Sequence, residues 1–544
     1  MIKVKTRNNS YIPGTEPWRN ILSEKKIKML KNSWAGVFRD HSLSEIPVRE
    51  ISKHFSEGVG RPSKELVTVI GACILQQMFD LTDEETIDQL AFNEQWHYAL
   101  ESFNPDDQVI SLKTLWTTRS LLVNDKAANK IFKSVTDKLT ELYEVDRRFQ
   151  RLDSVHIFSN MAKLGRVRLL SRVINIFLKN LKRHHLDLYN NVSLTDIKKH
   201  YEKEENGEYF GNVKPTSSKK RLSDIALDMY LLIGFFKDNT SIATMYSYQT
   251  MYRVFDEHCK VEDNVVKVKQ DSEVPSDSIQ NPSDIDSTYD GHKGQGYQVQ
   301  LMETYSRKDD NDDDDKNRLN LITSVKVEPA HNHDSKAIYP ILEDLQERNM
   351  LPDEYSADTA YGGEKNIELS KEYGTKLISP IPGKKPDKDM NGFEINEENY
   401  EIVKCPAGHC PIKNKQNKNS KTAIFSKEQC NLCQQQDSCP VKTGKNGYSI
   451  NYREKEIKAT IRRQYEQSDE FKDKYRYRSG IEATNSRYIH MTGARRLRYR
   501  GLKCVDYAGT LKALAINIFR TAKYLKNCGN GTTNFTGKQL KLAI

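Results

Sequence analysis

The residues best suited to chemistry lie in the segment Tyr475-Arg-Tyr-Arg478-Ser-Gly-Ile-Glu482. In a helix, spacings of three, four and seven residues place Tyr475, Arg478 and Glu482 on one face. A carboxylate among cations and aromatic rings is typical of a site that holds a divalent metal ion against a phosphate backbone. The alternative is an ordinary surface Arg–Glu pair, which contributes only about 0.2–0.5 kcal/mol. Spacing alone favours the ordinary pair, because such pairs are common.

Two acids upstream strengthen the metal interpretation. Asp153 lies within 149–158, a short segment rich in β-forming residues, and Asp358 ends a second such segment just before a pair of glycines. Strands disfavour aspartate, and a buried carboxylate without a partner is costly. A shared divalent ion would supply that partner. Mg²⁺ needs only a few protein oxygens, and two such ions about 4 Å apart promote phosphodiester displacement.

Hydrophobic patterning predicts the elements that position these acids. Strands are expected near residues 150–158, 296–305, 319–327, 355–358 and 374–379. Helices are expected over 64–137, 162–185, 221–259 and around Glu482, and Thr82–Glu85 is typical of a capping box. Three segments are predicted to lack regular packing: an extended arm with one short helix (1–60), a polar loop (186–220) and a disordered acidic linker (261–288). The consecutive aspartates between 309 and 315 are interpreted as a solvated hairpin tip.

Length and charge limit the class of protein. The 544 residues are enough for three to four domains, and the composition is 37% hydrophobic and 29% charged with a net charge of +9. Residues 461–527 hold 16 Lys/Arg against 6 Asp/Glu, whereas 261–290 hold 8 Asp/Glu against 2 Lys. This asymmetry indicates a polyanionic partner at the basic end. No apolar run reaches the ~20 residues of a membrane span, and no secretion signal is visible, so a cytoplasmic protein without a membrane partner is expected.

Five of the nine cysteines lie between residues 405 and 439. One Cys-x2-Cys pair followed by another cysteine is moderately specific for tetrahedral zinc, and a reducing compartment favours metal over disulfides. The preferred ligands for structural Zn²⁺ are Cys405, Cys430, Cys433 and Cys439, with His409 or Cys410 as substitutes. A degenerate knuckle without metal is the alternative.

Several motifs together resemble bacterial insertion-sequence transposases with a DDE triad, within the insertion-sequence-four superfamily and its eleven-eighty-two-like branch. The matching pieces are Leu152-Asp153-Ser154, Asp286 to Tyr297, Ala357-Asp358 to Gly362, Tyr475-x2-Arg478-x3-Glu482, Arg498 to Gly501, Cys405 to Gly408 and the helical region near Arg61-Pro62. The resemblance spans residues 50–525. One departure is clear, because the family has a lysine seven residues after the glutamate and this chain has Ile489.

The resemblance implies an α/β ribonuclease-H-like mixed sheet with a helical insertion, an N-terminal all-α domain and a small Cys-rich insertion. The implied divisions are an arm (1–60), an all-α DNA-binding domain (61–145), a catalytic core (146–380, with helical insertion 162–260 and acidic linker 261–288), a Cys-rich insertion (381–460), the C-terminal core helices (461–527) and a tail (528–544).

It also implies roles for individual residues. Asp153, Asp358 and Glu482 would be catalytic and would hold Mg²⁺ or Mn²⁺, and Arg478 would clamp a phosphate, which suits a guanidinium fork. Further DNA contacts are expected from Tyr475, from His292 and Lys293, which could equally stabilise a turn, and from the basic loop residues Arg495, Arg498 and Arg500.

The expected function is a DNA transposase that cuts at terminal inverted repeats and transfers 3′ ends to target DNA by two-metal chemistry. Double-stranded DNA, a homodimer on that DNA and a bacterial, nucleoid-associated location follow from the resemblance. Two alternatives stay open: a domesticated DNA-binding relative without cleavage, and a metal-dependent nuclease without strand transfer.

Overall fold

The computed structural model describes residue 18 and residues 21–55, 64–202, 215–307, 318–384, 390–444 and 447–530. Arg61 and the aspartate-rich segment 309–315 lie outside these residues. The N-terminal part is helical: α1 (Glu24–Lys31), α2 (Trp34–Val37), α3 (Val48–Ser52), α4 (Leu66–Phe79), α5 (Asp83–Phe92), α6 (Glu94–Leu100), α7 (Pro105–Gln108), α8 (Leu112–Asn124) and α9 (Ala127–Leu142). In the part of the chain described, no single helix is long and apolar enough to cross a membrane; α4 and α5 would qualify only as a pair bent by 117°.

The prediction of an extended arm over residues 1–60 is wrong for residues 21–55. The segment forms α1 to α3 with a π-helical turn at Phe38–Ser42, and the side chains of Phe38 and Ile51 are completely buried. Trp18 packs beside Tyr98, with ring centroids 5.5 Å apart. Apolar side chains at helical spacing bury this segment, although its lysines and Pro47 suggested exposure. The capping box at Thr82–Glu85 is confirmed, with both reciprocal hydrogen bonds present.

The rest of the chain alternates strands and helices. Its first part contains β1 (Phe149–Phe158), α10 (Arg166–His184), α11 (Leu186–Tyr189), α12 (Thr195–Glu202), α13 (Pro215–Phe236), α14 (Thr240–Ala243), α15 (Tyr246–His258), β2 (Cys259–Glu262), β3 (Val265–Val268), β4 (Thr288–Asp290), β5 (Gly294–Thr304) and β6 (Ile322–Pro329). Its second part contains α16 (Ile338–Glu347), β7 (Glu354–Ala357), α17 (Glu364–Glu372), β8 (Lys376–Ile378), β9 (Glu394–Asn396), β10 (Glu401–Lys404), β11 (Lys413–Gln416), β12 (Lys421–Phe425), α18 (Lys427–Asn431), β13 (Lys442–Gly444), β14 (Gly447–Tyr452), α19 (Glu454–Gln467), α20 (Asp469–Tyr475), α21 (Ile481–Met491) and α22 (Leu502–Asn530).

The main sheet is mixed. Its order is β4-β5-β1-β7-β8, with β6 also pairing with β5. β1, β7 and β8 are parallel, whereas β5 runs antiparallel to β1, β4 and β6. All five predicted strands are present in it. Alternating apolar and polar residues set their register, because each face of the sheet packs against helices.

Helix α22 joins the sheet to the N-terminal helices. Its apolar residues share one continuous core with α4, α9 and the α22-facing side of β5 and β6. The buried Asn517 side chain bonds to the Ile322 backbone N–H and carbonyl, each at 2.8 Å, and to Thr136 on α9 at 3.1 Å. On the previous turn, the buried Lys512 ammonium lies 3.0 Å from Asp80. The opposite face of the sheet is covered by α16 and α17.

Helices α10 to α15 lie between β1 and β4 in the chain and pack around their own core. Two expectations fail here. The polar loop over 186–220 contains α11, α12 and the start of α13, and Tyr189, Leu194 and Ile197 are buried. The acidic linker over 261–288 is not disordered: it includes the β2–β3 hairpin and a buried Ile279. Its acids serve as internal partners, because Asp284 and Asp286 accept the backbone N–H groups of Gly501 and Leu502 at the start of α22.

The Cys-rich insertion is a small β unit. β11, β12, β14 and β13 form a four-stranded antiparallel sheet, and β9 pairs with β10. Phe393, Ile402, Phe425 and Ile450 are buried at its centre. This unit is followed by α19, which returns the chain to the edge of the main sheet, where Arg462 on α19 donates to the Ser379 carbonyl.

Candidate active site

The two strand acids lie side by side at one edge of the main sheet. β1 and β7 are parallel and pair Leu152 with Ala357, so Asp153 and Asp358 are the next residues of adjacent strands. Asp358 directly follows β7 and caps the short 3₁₀ turn Thr359–Tyr361, where its carboxylate accepts the Ala360 N–H at 2.8 Å. The Asp153 side chain is only 13% exposed. Parallel strands thus bring together two acids that are far apart in the chain.

The third acid, Glu482, arrives on α21 after a break in the helix. α20 ends at Tyr475, a 3₁₀ segment covers Arg476–Gly480, and α21 begins at Ile481. The prediction that Tyr475, Arg478 and Glu482 share one continuous α-helix is therefore wrong. The break lies where the Arg151 guanidinium donates to the Tyr477 carbonyl at 2.8 Å, and a side chain at Gly480 would collide with that guanidinium.

Arg478 lies between the acids. Its guanidinium is 3.3 Å from Asp153 and 3.5 Å from Glu482, whose side chain is 68% exposed. As the side chains stand, no three His, Cys, Asp or Glu residues within the described ranges are arranged to hold a metal ion. The structure therefore brings the predicted triad into one neighbourhood, but Asp153 and Glu482 are joined by an arginine. Arg478, which was predicted to clamp a phosphate, is paired with these two carboxylates instead.

Asn485, which the sequence interpretation overlooked, is a further partner of Asp153. Its amide donates to the Asp153 carboxylate at 3.0 Å, while its own side-chain oxygen is buried without a hydrogen-bond partner. Asn485 follows Glu482 by three residues, so the helical spacing that singled out Arg478 could also have found it.

Burial raises the pKa of Asp153, and Arg478 and the Ser154 N–H only partly offset this effect. The carboxylates of Asp358 and Asp334 raise the pKa further. A cluster of acids in a partly desolvated place favours a bound cation, because a cation relieves their mutual repulsion. The donor set therefore fits a hard oxygen-binding ion such as Mg²⁺.

A buried ionic network anchors the helix that carries Glu482. The Glu303 carboxylate on β5 is completely buried and pairs with Arg151 at 2.7 Å and with Arg520 at 2.8 Å. It also accepts a hydrogen bond at 2.6 Å from Thr484, two residues beyond Glu482. Burial alone would raise the pKa of Glu303, but Arg520 and Arg151 outweigh it and lower the pKa below its ordinary value.

His292 and Lys293 form the turn between β4 and β5. The Asp290 carboxylate accepts the backbone N–H groups of His292 at 2.8 Å and of Lys293 at 2.6 Å, so the side chain of Asp290 stabilises this turn. The Lys293 ammonium also reaches Ser154, at 3.1 Å, beside Asp153. By contrast, Ile489 packs against the core, so the position of the family lysine contributes no cation.

Tyr475 is half-buried beside the acids. Its ring stacks on Phe471, with centroids 5.4 Å apart and an interplanar angle of 16°. Burial raises the pKa of its hydroxyl, Arg478 opposes that shift, and Asp358 adds to it. The hydroxyl therefore stays protonated near neutral pH and can donate a hydrogen bond.

The basic loop between α21 and α22 is exposed at Arg495, Arg498 and Arg500. Arg495 lies over the Phe158 ring at 5.4 Å, and Arg500 donates to Asn160 at 3.2 Å. Arg498 pairs with Asp80 at 3.3 Å, which ties the loop to the N-terminal helices.

Three of the four preferred cysteines, Cys405, Cys430 and Cys439, pack against the core of the β unit, but the described side chains are not arranged around an ion. Burial raises the pKa of the Cys430 thiol, and Cys439, Cys405 and Cys433 raise it further. The backbone N–H of His409 donates to the Cys405 sulfur at 3.4 Å, whereas Cys410 is exposed.

Two neighbouring acids, one within β1 and one directly after β7, and an exposed basic loop are features of an enzyme that acts on a polyanion. Comparison with protein families narrows this class. A model described as a transposase DDE domain matches residues 404–522, and one described as a transposase domain matches residues 35–121. No curated protein matches the chain. The chain is thus similar to transposase domains over these two segments, and the DDE-domain match includes Glu482 but neither Asp153 nor Asp358.

Proposed function

We propose that the chain is a DNA transposase that cuts at terminal inverted repeats and transfers the 3′ ends to target DNA. The observation that carries this proposal is that parallel β1 and β7 bring Asp153 and Asp358 next to each other. Arg478 contacts both Asp153 and Glu482 and so links the third acid to this pair. The strand order β6-β5-β1-β7-β8, in which only β5 opposes its neighbours, supports a ribonuclease-H-like core. The eleven-eighty-two-like branch remains part of the proposal.

In this proposal Asp153, Asp358 and Glu482 hold Mg²⁺ or Mn²⁺. The bound metal would activate the attacking oxygen and stabilise the leaving oxygen of a phosphodiester. Arg478 exchanges its carboxylate partners for a DNA phosphate, because the same guanidinium fork fits both anions. Asn485 keeps Asp153 oriented during this exchange, and Tyr475 donates to a phosphate or stacks on a displaced base.

The experiment is a cleavage and joining assay on duplexes from the ends of the DNA that carries this reading frame. With Mg²⁺ and a target plasmid, we expect 3′-end nicks at inverted repeats and covalent joining of those ends. Nicks without joined product would favour a nuclease without strand transfer. Tight, specific binding without nicks would favour a domesticated DNA-binding relative. Sedimentation of the complex tests the proposed homodimer on DNA.

The basic loop is proposed to contact the DNA backbone together with His292 and Lys293. Replacing Arg495 and Arg500 by alanine is expected to weaken duplex binding and to lower the slope of log K against log salt by about 1 for each phosphate that the loop no longer neutralises. Fluorescence anisotropy over a salt series measures this slope. Arg453→Ala, at a 73%-exposed arginine of the β unit, is the control and leaves the slope unchanged. An unaltered slope in the double variant would remove the loop from the interface.

We also propose that Cys405, Cys430, Cys433 and Cys439 bind one structural Zn²⁺, with His409 or Cys410 as the substitute ligand. The proposal is supported by the nearness of the thiols, because Cys439, Cys405 and Cys433 all raise the pKa of Cys430. The described side chains are not arranged around an ion, so binding would require them to move together. Zn²⁺ would fold the unit rather than take part in catalysis. We expect one zinc per chain by elemental analysis, its loss in Cys430→Ser and its retention in Cys410→Ser. Zinc-free wild-type protein purified without chelator would contradict the site.

A further inference from the structure

A ring of polar side chains lies behind the two strand acids. Ser154 follows Asp153 in β1, so its side chain projects from the opposite face of the sheet. The Lys293 ammonium donates to Ser154 at 3.1 Å and lies 3.7 Å from the Asp334 carboxylate. Asp334 also accepts the Gln300 amide at 2.8 Å, and the Tyr361 hydroxyl donates to the Gln300 oxygen. Ser154 lies close enough to the Tyr361 hydroxyl to lower its pKa, so the two ends of the ring lie near each other.

The ring connects the elements that carry the metal-binding acids. Gln300 faces Ser154 across the β1–β5 pair, and Tyr361 ends the 3₁₀ turn that Asp358 caps. Gln300 and Tyr361 are completely buried, whereas the Asp334 and Lys293 side chains are 16% and 37% exposed. The uncharged Gln300 and Tyr361 therefore lie inside the protein, and the charged Asp334 and Lys293 lie nearer the protein surface.

Lys293 is a cation on a flexible stem, and its ammonium contacts Ser154, the residue that follows Asp153 in β1. An ammonium close to a carboxylate pair competes with a divalent cation for the same negative charge. Asp290 faces the same lysine, but its carboxylate already accepts two backbone N–H groups of the turn. Asp334 is thus the carboxylate placed to retain the ammonium on the far side of Ser154.

We propose that Asp334 is a positioning residue that holds the Lys293 ammonium away from Asp153 and Asp358 and so keeps these two acids available to a divalent metal ion. This inference rests on the proposed function, because it assumes that the two acids bind metal. It assigns to Asp334 a role that neither the DDE motif nor the family matches describe.

The test is a Mn²⁺ titration of the full-length protein without DNA. The electron paramagnetic resonance signal of free Mn²⁺ measures how much of the ion is bound. Asp334→Asn keeps an oxygen for Gln300 but removes the charge. It is expected to weaken Mn²⁺ binding about five- to tenfold, the effect of one unit charge at close range in a partly exposed site. Adding Lys293→Met to this variant is expected to restore the affinity to within about twofold of wild type, because the competing ammonium is gone. A merely structural role would leave the double variant at least as weak as the single one.

Two controls separate the outcomes. Glu347→Gln, at an exposed acid of α16, is expected to bind Mn²⁺ like the wild type, and Asp153→Asn is expected to lose the site. Wild-type affinity in Asp334→Asn, or no recovery in the double variant, would overturn the positioning role and leave the proposed function standing. Identical titrations of wild type and Asp153→Asn would overturn the proposed metal site and this inference with it.

Discussion

Asp153→Asn is expected to lower the rate of DNA strand cleavage by roughly 10³-fold or more. A metal ligand contributes several kcal/mol to charge stabilisation in the transition state, and each 1.36 kcal/mol corresponds to about tenfold in rate. The substitution preserves shape and leaves an oxygen for the Asn485 amide, which now donates to Asp153 at 3.0 Å. Single-turnover cleavage of a terminal-repeat duplex in Mg²⁺ measures the effect.

Asp187→Asn, at an exposed acid on α11, is the matched control and retains the wild-type rate. Asp153→Asn must also bind the duplex and melt near the wild-type temperature, so that loss of cleavage reports on chemistry. Cleavage by Asp153→Asn at the rate of the control would refute the assignment of the strand acids.

Glu303→Ala is expected to destabilise the protein by about 3–5 kcal/mol, because it leaves the buried Arg151 and Arg520 without their shared carboxylate. For a cooperative unit of 150–250 residues this corresponds to a fall in Tm of about 6–20 °C. The start of α21 is also released when Thr484 no longer has a carboxylate to bind, so cleavage falls with stability. Differential scanning calorimetry measures the transition of the variant.

Glu262→Ala is the control for Glu303→Ala and is expected to melt like the wild type, because its pairs with Lys260 and Lys267 are exposed to solvent and screened by it. The pH dependence of Tm provides a second test of the Glu303 network. Since the folded pKa of Glu303 lies below its ordinary value of 4.5, its stabilisation is complete above that value and is lost as the pH falls through the folded pKa. Wild-type Tm should therefore fall more steeply than that of Glu303→Ala below pH 4.5. Parallel curves would show that the network is not the source of the stability.

The strands of the sheet and the positions of the three acids could be predicted from the sequence because their signals are local. Alternation fixes a strand such as 149–158, and an aspartate inside it is conspicuous without any knowledge of its neighbours. The helix carrying Glu482 was also predictable. Its break at Gly480 was not, because the break depends on Arg151, more than 300 positions away in the chain.

The remaining differences arise from tertiary partners that composition cannot reveal. Residues 261–288 have the composition of a disordered linker, yet Asp284 and Asp286 have definite partners at the start of α22. The segment 21–55 looked like an arm because it holds several lysines and Pro47 and has no long apolar run, but Phe38 and Ile51 are completely buried in the core. Arg478 fits a phosphate in sequence terms and contacts carboxylates in the structure, since the two anions present similar oxygens.

Helix α22 makes the N-terminal helices and the main sheet depend on each other for folding. One side of α22 packs against the sheet and the other against the N-terminal helices. Asn517 hydrogen-bonds to both parts, and Lys512 pairs with Asp80 after α4. A gene fragment that begins after α9 would encode a sheet whose longest helix presents bare hydrocarbon to water, and such a product would aggregate. The N-terminal helices and the strands that carry Asp153 and Asp358 therefore belong to one folding unit, and neither part is expected to fold without the other.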